Sequence, residues 1–223
     1  MRTLPRVLLA GALLLVLTAC DRGTAAERDA NARRVAETGL YGHRLDSARV
    51  VPAVTLVDLH GTSHDLAQLT RGKLSLLFFG YTNCPDVCPV HMTNIAAAMR
   101  AFSWARRDSI RVIFVTTDPQ RDTTERLREW IGSIDSTFLA LRGSQAALDS
   151  AQRGLGLAEA MRLPGVHEGD YQVGHAGQVL AVFPDGTVRY AYPFGIRQAE
   201  WVHDLPKLLA YAAAGDAPAS REG

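Results

Sequence analysis

One stretch decides how the chain is interpreted: Phe78-Phe79-Gly80-Tyr81-Thr82-Asn83-Cys84-Pro85-Asp86-Val87-Cys88-Pro89. The apolar run from Leu74 to Phe79 predicts a buried strand, and the residues that follow predict the turn that ends it. A helix is predicted from about Asp86, so Cys84 lies in the turn and Cys88 in the first helical turn. Free amides and the helix dipole stabilise thiolates there. If both cysteines lie on that turn, their i, i+4 spacing puts both sulfurs on one face, where they can close a disulfide or hold a soft metal.

Length and composition exclude several classes of protein. The chain has 223 residues, 47% of them hydrophobic, which predicts one domain with extensions and a substantial core. The formal charge of +1, without a Lys/Arg-rich block that contains aromatics, argues against nucleic-acid binding. Three cysteines are too few for a disulfide scaffold, so the close pair indicates a site.

The N-terminal residues predict the compartment. Arg2 and Arg6 precede an apolar run, Val7 to Ala19, that is too short to span a bilayer and is typical of a signal peptide. The run ends in Leu17-Thr18-Ala19-Cys20, which resembles the bacterial lipoprotein box, where the cysteine is lipidated and becomes the first residue after cleavage. An ordinary signal peptide or an uncleaved anchor would give the same compartment. We therefore expect a signal peptide over residues 1–19 and a lipid anchor at Cys20 in the cell membrane. The domain would face the periplasm or the outside, where a free dithiol persists only with a reductant or a metal.

The pattern of the remaining chain predicts the fold. Residues 20–49 are rich in Ala, Arg, Asp and Glu and predict a tether, residues 50–213 predict the domain, and residues 214–223 predict a disordered tail. The alternation of strands and helices predicts an α/β fold with a central, mostly parallel sheet, a C-terminal antiparallel hairpin and flanking helices. This order of elements, with a cysteine pair after the strand of the first βα unit, is the thioredoxin-like arrangement. Strands are predicted at 51–59, 63–66, 73–79, 110–116, 138–141, 178–183 and 187–192, and helices at 86–105, from 122 or 123, at 144–153 and at 197–213.

Three motifs resemble those of the Sco/SenC family. The first is Phe79 to Pro89, the second is Val115-Thr116-Thr117-Asp118-Pro119-Gln120-Arg121-Asp122-Thr123, and the third is Tyr171-Gln172-Val173-Gly174-His175. The resemblance implies a thioredoxin-fold, membrane-anchored protein that binds copper through Cys84, Cys88 and His175. It also implies a role in building the binuclear copper centre of cytochrome c oxidase, as copper chaperone, as thiol reductant of the target cysteines, or as both.

Two positions depart from the family pattern. The family often has His where this chain has Asn83, and Asp where it has Gly174, and neither is a copper ligand in the family. Gly174 removes a carboxylate that would steer His175 and leaves the loop more flexible.

Other residues have both a functional and a structural interpretation. The cysteines could form a structural disulfide or be inert thiols, and a zinc site would need a fourth ligand, for which His91 is the nearest candidate. Asp118 is either an acceptor near the cysteines or a turn residue, whereas Asp122 and Thr123 are predicted as helix caps. Tyr81 and Phe79 are expected to pack around the sulfurs. The histidines without motif support are expected to be solvated, and they are His43, His60, His64, His167 and His203. Among them, only His167, in the loop before His175, is kept as a transient ligand.

Two functions compete on the same pair of cysteines. Thiolates favour Cu(I) and imidazole supports Cu(II), so the three residues suit copper in either state. The favoured hypothesis is a copper-binding assembly factor, with the copper-receiving subunit of a respiratory oxidase and a copper donor or thiol reductant as partners. The alternative is a thiol–disulfide oxidoreductase that keeps target cysteines reduced, for which His175 is not needed. A peroxide-reducing or redox-sensing protein is a minor third hypothesis, and whether the chain is an enzyme stays open.

Overall fold

The computed structural model describes residues 29, 32–33, 35–36, 38–165 and 170–215. The predicted signal peptide, Cys20, His167 and residues 216–223 lie outside them. Every strand and helix named below belongs to one compact unit, Gly42–Ala219. Within the described part of the chain, no helix combines the length and the apolar character that crossing a membrane requires.

Ten strands and six helices are seen in this unit among the described residues. The strands are β1 (His43–Val50), β2 (Thr55–Asp58), β3 (Ser63–Asp65), β4 (Leu74–Gly80), β5 (Ile110–Thr116), β6 (Leu139–Arg142), β7 (Met161–Pro164), β8 (Tyr171–Gly174), β9 (Val179–Val182) and β10 (Thr187–Tyr192). The helices are α1 (Leu66–Leu69), α2 (Val87–Arg100), α3 (Trp104–Asp108), α4 (Thr124–Ile134), α5 (Gln145–Gly154) and α6 (Gln198–Ala214).

Eight strands form one mixed sheet in the order β1-β10-β9-β4-β5-β6-β2-β3. Strands β4, β5 and β6 pair in parallel at its centre, and the remaining pairs are antiparallel. The α/β class and the C-terminal hairpin of β9 and β10 are confirmed. The sheet is mixed rather than mostly parallel, because parallel pairing is confined to the three central strands. The turn of that hairpin requires Gly186, whose φ of 84° is in the left-handed region that favours glycine.

The alternation of side chains along β4 sorts the core into two layers. Phe79 belongs to an apolar cluster with Leu77, Val115 and Leu148 of α5. On the other face, Phe78 packs against Phe114, whose ring centroid lies 4.8 Å from that of Trp130 in α4. The central strands are buried on both sides, which is why β4 reads as a continuous apolar run.

Several boundaries differ from the sequence-based prediction. The strand predicted over 51–59, for example, is limited to β2 at Thr55–Asp58. The edge strand β1 begins at His43 and pairs with β10, so the sheet takes in seven residues assigned to the tether. The predicted helix over 86–105 is two helices, because α2 ends at Arg100 and α3 begins at Trp104. The segment 157–174 has no clear hydrophobic period and is predicted to be a long loop or a hairpin; it contains the antiparallel pair β7 and β8, in agreement with the hairpin alternative.

Candidate metal centre

The two cysteines lie where strand β4 passes into helix α2. Cys84 is in the connecting turn, and its amide donates to the carbonyl of Tyr81 over 3.3 Å. The carboxylate of Asp86 caps the helix by accepting from the Val87 amide over 2.6 Å. The Cys88 amide then donates to the Cys84 sulfur over 3.4 Å, so the first helical turn supports a sulfur anion.

Gly80 allows the Cys88 sulfur to approach the end of β4. A Cβ atom on Gly80 would lie 2.7 Å from Cys88 Sγ, a distance that real Cβ atoms essentially never show, and 2.9 Å from a ring carbon of Phe78. The Gly80 carbonyl accepts from the Thr117 amide over 2.7 Å, which holds the ends of β4 and β5 together. The glycine in the first motif is therefore required by packing.

His175 reaches the cysteines from the loop between β8 and β9. Its Nε2 atom lies 3.4 Å from Cys88 Sγ, and its Nδ1 atom lies 3.1 Å from the carbonyl oxygen of Ala176. A carbonyl oxygen can only accept, so Nδ1 carries a proton, and this bond turns Nε2 toward the sulfur. The two Sγ atoms and a ring nitrogen all lie within 4.8 Å of one another.

Aromatic rings limit the access of water to the three side chains. Both cysteines are free and buried, whereas His175 is half-buried. The His175 ring makes edge contacts with Tyr81 at 5.6 Å and Phe78 at 5.9 Å between centroids. The expectation that Phe79 packs around the sulfurs is wrong, because strand alternation turns Phe79 into the opposite layer of the core and places Phe78 at the site.

The electrostatic environment distinguishes the two thiols. The pKa of Cys84 is lowered to about 3, chiefly by the hydrogen bond from the Cys88 thiol. Burial opposes this change, whereas His175 and the Cys88 amide contribute to it. Burial is the main cause that raises the pKa of Cys88, and the neighbouring Cys84 thiolate adds to it. At neutral pH the pair therefore carries one thiolate and one thiol, and a soft cation would have to displace the Cys88 proton to gain the second thiolate.

Comparison with known proteins assigns the chain to a family. The family model described as SCO1/SenC matches residues 43–210. The chain belongs to the SCO1/SenC family. A Stutzerimonas stutzeri protein, named as a candidate copper-binding protein, is 32% identical over 146 residues, which are 65% of this chain and 70% of that protein. The match to the SCO2-like protein of Rickettsia typhi is 36% identical over 100 residues, 45% of this chain and 48% of that protein, so it spans about half of that relative.

A solved structure supports the same assignment. ScoI of Bradyrhizobium japonicum, with copper bound, superimposes with a TM-score of 0.64 at 28% identity, covering 71% of this chain and 99% of that one. The thioredoxin-like fold predicted from the order of the elements is thereby confirmed.

The second SCO1/SenC motif supports the strand that leads to His175. The Asp118 side chain is buried and accepts from the Tyr171 hydroxyl over 2.8 Å, while its other oxygen accepts from Arg121 Nε. Arg121 also donates to the Tyr171 carbonyl over 2.8 Å, and its guanidinium lies 3.6 Å from the centroid of the Tyr171 ring. Asp118 thus contacts β8 rather than the cysteines, and it holds the strand that leads to His175.

Asp122 has a role that sequence reasoning missed. The helix cap of α4 is Thr123, as predicted for that residue, but the prediction of a capping role for Asp122 is wrong. Its fully buried carboxylate accepts from the Thr82 amide over 3.1 Å and from the hydroxyls of Thr82 and Thr116, each over 2.6 Å. Asp122 therefore joins the cysteine turn to the end of β5. The spacing from Thr82 gives no local signal for this contact.

Three of the remaining histidines of the described residues form hydrogen bonds. His64 and His203 are not simply solvated, because they bond to Asp58 over 2.9 Å and to Asp204 over 2.6 Å. His91 is buried, and its Nε2 lies 2.9 Å from the Gly177 carbonyl oxygen. Among the described residues, the only group of three or more candidate metal ligands is Cys84, Cys88 and His175, so His91 does not complete a zinc site.

The two residues that depart from the SCO1/SenC pattern have different surroundings. Asn83 is exposed in the turn. A Cβ on Gly174 would meet Leu163 Cδ1 at 3.2 Å and Met161 Cγ at 3.6 Å. A side chain at position 174 would therefore be hindered only by the flexible end of Leu163. The Ala176 carbonyl already orients the His175 ring, which is the task that a neighbouring carboxylate would otherwise perform.

Proposed function

We propose that the chain binds one copper ion through Cys84, Cys88 and His175. The observation that carries the proposal is the convergence of three donor atoms within 4.8 Å, on free cysteines and a histidine whose ring is already oriented. Copper bound in the Bradyrhizobium relative supports the choice of metal.

The donor set fits the chemistry of copper. Two sulfur donors are soft ligands that favour Cu(I), and the imidazole nitrogen supports Cu(II). Zinc in a closed structural site would take four protein ligands, and the described residues offer three. A three-ligand site leaves a position that a ligand of a partner protein can occupy, which suits an ion that is cargo rather than a permanent cofactor.

The destination of the copper is the second part of the proposal. We propose that the protein delivers copper to the copper-receiving subunit of a respiratory cytochrome oxidase, as membership of the SCO1/SenC family implies. A lipid on Cys20 would hold the domain at the outer face of the cell membrane, and a copper donor or a thiol reductant would act upstream. The lipoprotein-like Leu17-Thr18-Ala19-Cys20 supports the anchor.

A second candidate function is thiol–disulfide exchange. It is favoured by the position of both free cysteines at the start of α2, with the Cys88 amide donating to the Cys84 sulfur. The Cys84 thiolate would attack a target disulfide and release one target thiolate. Cys88 would then displace the second target thiolate as it closes the Cys84–Cys88 disulfide. The two electrons pass to the target, so a thiol reductant must return the pair to the dithiol.

Copper titration of three variants separates the candidates. Cys84→Ser and Cys88→Ser are expected to abolish both tight copper binding and redox cycling. His175→Ala is expected to weaken copper, Cu(II) most, and to leave disulfide formation intact. The measurements are copper per chain, the thiolate-to-Cu(II) charge-transfer band, and thiol titration after oxidation and reduction.

The possible outcomes distinguish copper binding from thiol–disulfide exchange. About one copper per chain, with a band that shifts or disappears in His175→Ala, supports the copper proposal. Unchanged copper stoichiometry in either cysteine variant rejects these residues as ligands. A wild type that holds no copper tightly, but cycles readily between dithiol and disulfide, favours the reductase.

A further inference from the structure

His91 lies beside the site without belonging to the donor set. It follows Cys88 by three residues on α2, so the two side chains share a face of the helix. Its side chain is buried, and its ring centroid lies 5.2 Å from that of Phe78 and 5.6 Å from that of Phe194. A buried polar ring needs a hydrogen-bond partner, because leaving it unsatisfied costs about 1–3 kcal/mol.

The partner of His91 is the backbone of the loop that carries His175. His91 Nε2 lies 2.9 Å from the Gly177 carbonyl oxygen, and since that oxygen can only accept, Nε2 is the donor. Burial lowers the pKa of His91, which favours the neutral ring with its single proton at this nitrogen.

The loop itself has few internal restraints. Residues 175–178 lie between the end of β8 and the start of β9 and pair with neither strand, and glycines stand at positions 174 and 177. A Cβ on Gly177 would meet only Val87 of α2, at 3.8 Å, so at this position the loop lies against the helix without a tight contact. A hydrogen bond from α2 to this loop therefore fixes the histidine relative to the helix that carries Cys88.

We propose that His91 is a positioning residue that holds the His175 loop through its Nε2–H bond to Gly177, and thereby sets His175 Nε2 against Cys88 Sγ. The role toward copper rests on the proposed function, whereas the role toward the loop does not. His91 acts on the loop backbone and is not itself a ligand.

A pair of amide variants tests the hydrogen bond. In His91→Gln the side-chain nitrogen is as many bonds from the backbone as Nε2, so it can still donate to Gly177. In His91→Asn the same amide is one bond shorter and cannot reach. His64→Asn, which removes a histidine of β3 that bonds to Asp58, is the matched control.

Two readouts are needed, one without copper. In the apo protein, His91→Asn should speed backbone amide hydrogen exchange at residues 176–178 by on the order of 10-fold, while His91→Gln and His64→Asn leave it near the wild-type rate. With copper, His91→Asn should weaken binding by about 10- to 100-fold and shift the charge-transfer band, and His91→Gln should restore both.

Each outcome decides a separate claim. Wild-type exchange and affinity in a folded His91→Asn variant would overturn the positioning role. If His91→Asn did not fold, His91→Gln would decide alone, and a copper affinity more than about 10-fold below the wild type would count against the proposal. A wild type that binds no copper would reject the proposed function, while the apo exchange rates would still decide whether His91 holds the loop.

Discussion

At the scale of single residues, the site depends on an absent side chain as much as on those present. Gly80 ends β4 at a point where a Cβ would lie 2.7 Å from the Cys88 sulfur and 3.0 Å from a ring carbon of Phe114. Relief would need movement of a buried cysteine or a buried aromatic ring, and neither has free space. The cysteine geometry is therefore set partly by Gly80.

We predict that Gly80→Ala destabilises the protein by about 1–3 kcal/mol, because it overpacks a filled core, and that it weakens copper binding by moving Cys88. Urea unfolding and copper titration measure the two effects. Gly132→Ala is the control, since nothing lies within 4 Å of a Cβ at that position in α4 and alanine favours a helix. Equal stabilities for the two variants would contradict the packing argument.

At the scale of elements, a buried carboxylate joins the two parts of the chain that build the site. Asp122 stands just before α4 and accepts from Thr82 in the cysteine turn and from Thr116 at the end of β5. Arg126 of α4 adds a bond to the Thr82 hydroxyl over 3.2 Å. Burial raises the pKa of Asp122, and the hydroxyl and amide donors oppose that rise.

We predict that Thr82→Val costs about 1–3 kcal/mol, because it keeps the shape of the side chain but leaves the buried Asp122 carboxylate with one donor fewer. Chemical denaturation measures the loss. Thr187→Val is the comparison, because its hydroxyl bonds to the exposed Asp185 at the hairpin turn. A loss no greater than that of Thr187→Val would show that the Asp122 contact does not hold the cysteine turn.

The turn between β2 and β3 predicts a loss of stability in acid. Asp58 accepts from the amides of His60 and Thr62 over 2.8 and 2.9 Å and from the His64 ring over 2.9 Å. The hydrogen bond with His64 is the main cause that lowers the pKa of Asp58 to about 2. A depressed carboxyl pKa stabilises the fold above the unfolded value near 4, and this contribution disappears as pH falls through about 2.

We therefore expect Asp58→Asn to lower stability at neutral pH by about 1 kcal/mol, allowing for solvent screening, and to lose less stability than the wild type between pH 4 and 2. The amide keeps an acceptor for the turn and removes only the charge. Thermal melts across that range measure the difference. Asp46→Asn, at an exposed position of β1, should follow the wild-type pH profile.

The sequence predicted those features of the elements that depend on local pattern. The apolar run of β4, the turn and the helix placed both cysteines correctly, because periodicity and turn residues act over a few positions. Asp122, His91 and the orientation of Phe78 were missed, because their contacts join residues distant in sequence or depend on which face of a strand is turned inward. His175 was found only through the family motif, since a single histidine carries no spacing signal.

At the scale of the whole molecule, the site is assembled from segments that meet at the carboxyl end of the central strands. The cysteine turn follows β4, and the Asp118 motif follows β5, its parallel neighbour. The His175 loop precedes β9, which pairs with β4 on the other side. Ligands in open α/β sheets bind at this end, so the fold predicts the location, while the chemistry comes from the residues on the loops.

The outer edge of the sheet gives the last prediction, which concerns where the domain begins. Strand β1 pairs with β10, and Arg49 donates to the Leu155 carbonyl over 2.7 Å. A chain that starts at Val51, near the boundary expected from composition, loses these bonds and leaves β10 as a bare edge. We expect it to be less stable than a chain that starts at Gly42 by at least about 2 kcal/mol, at about 1 kcal/mol for each net hydrogen bond lost. Urea unfolding of the two chains measures this, and equal midpoints would mean that the domain begins after β1 and that the edge strand adds nothing to its stability.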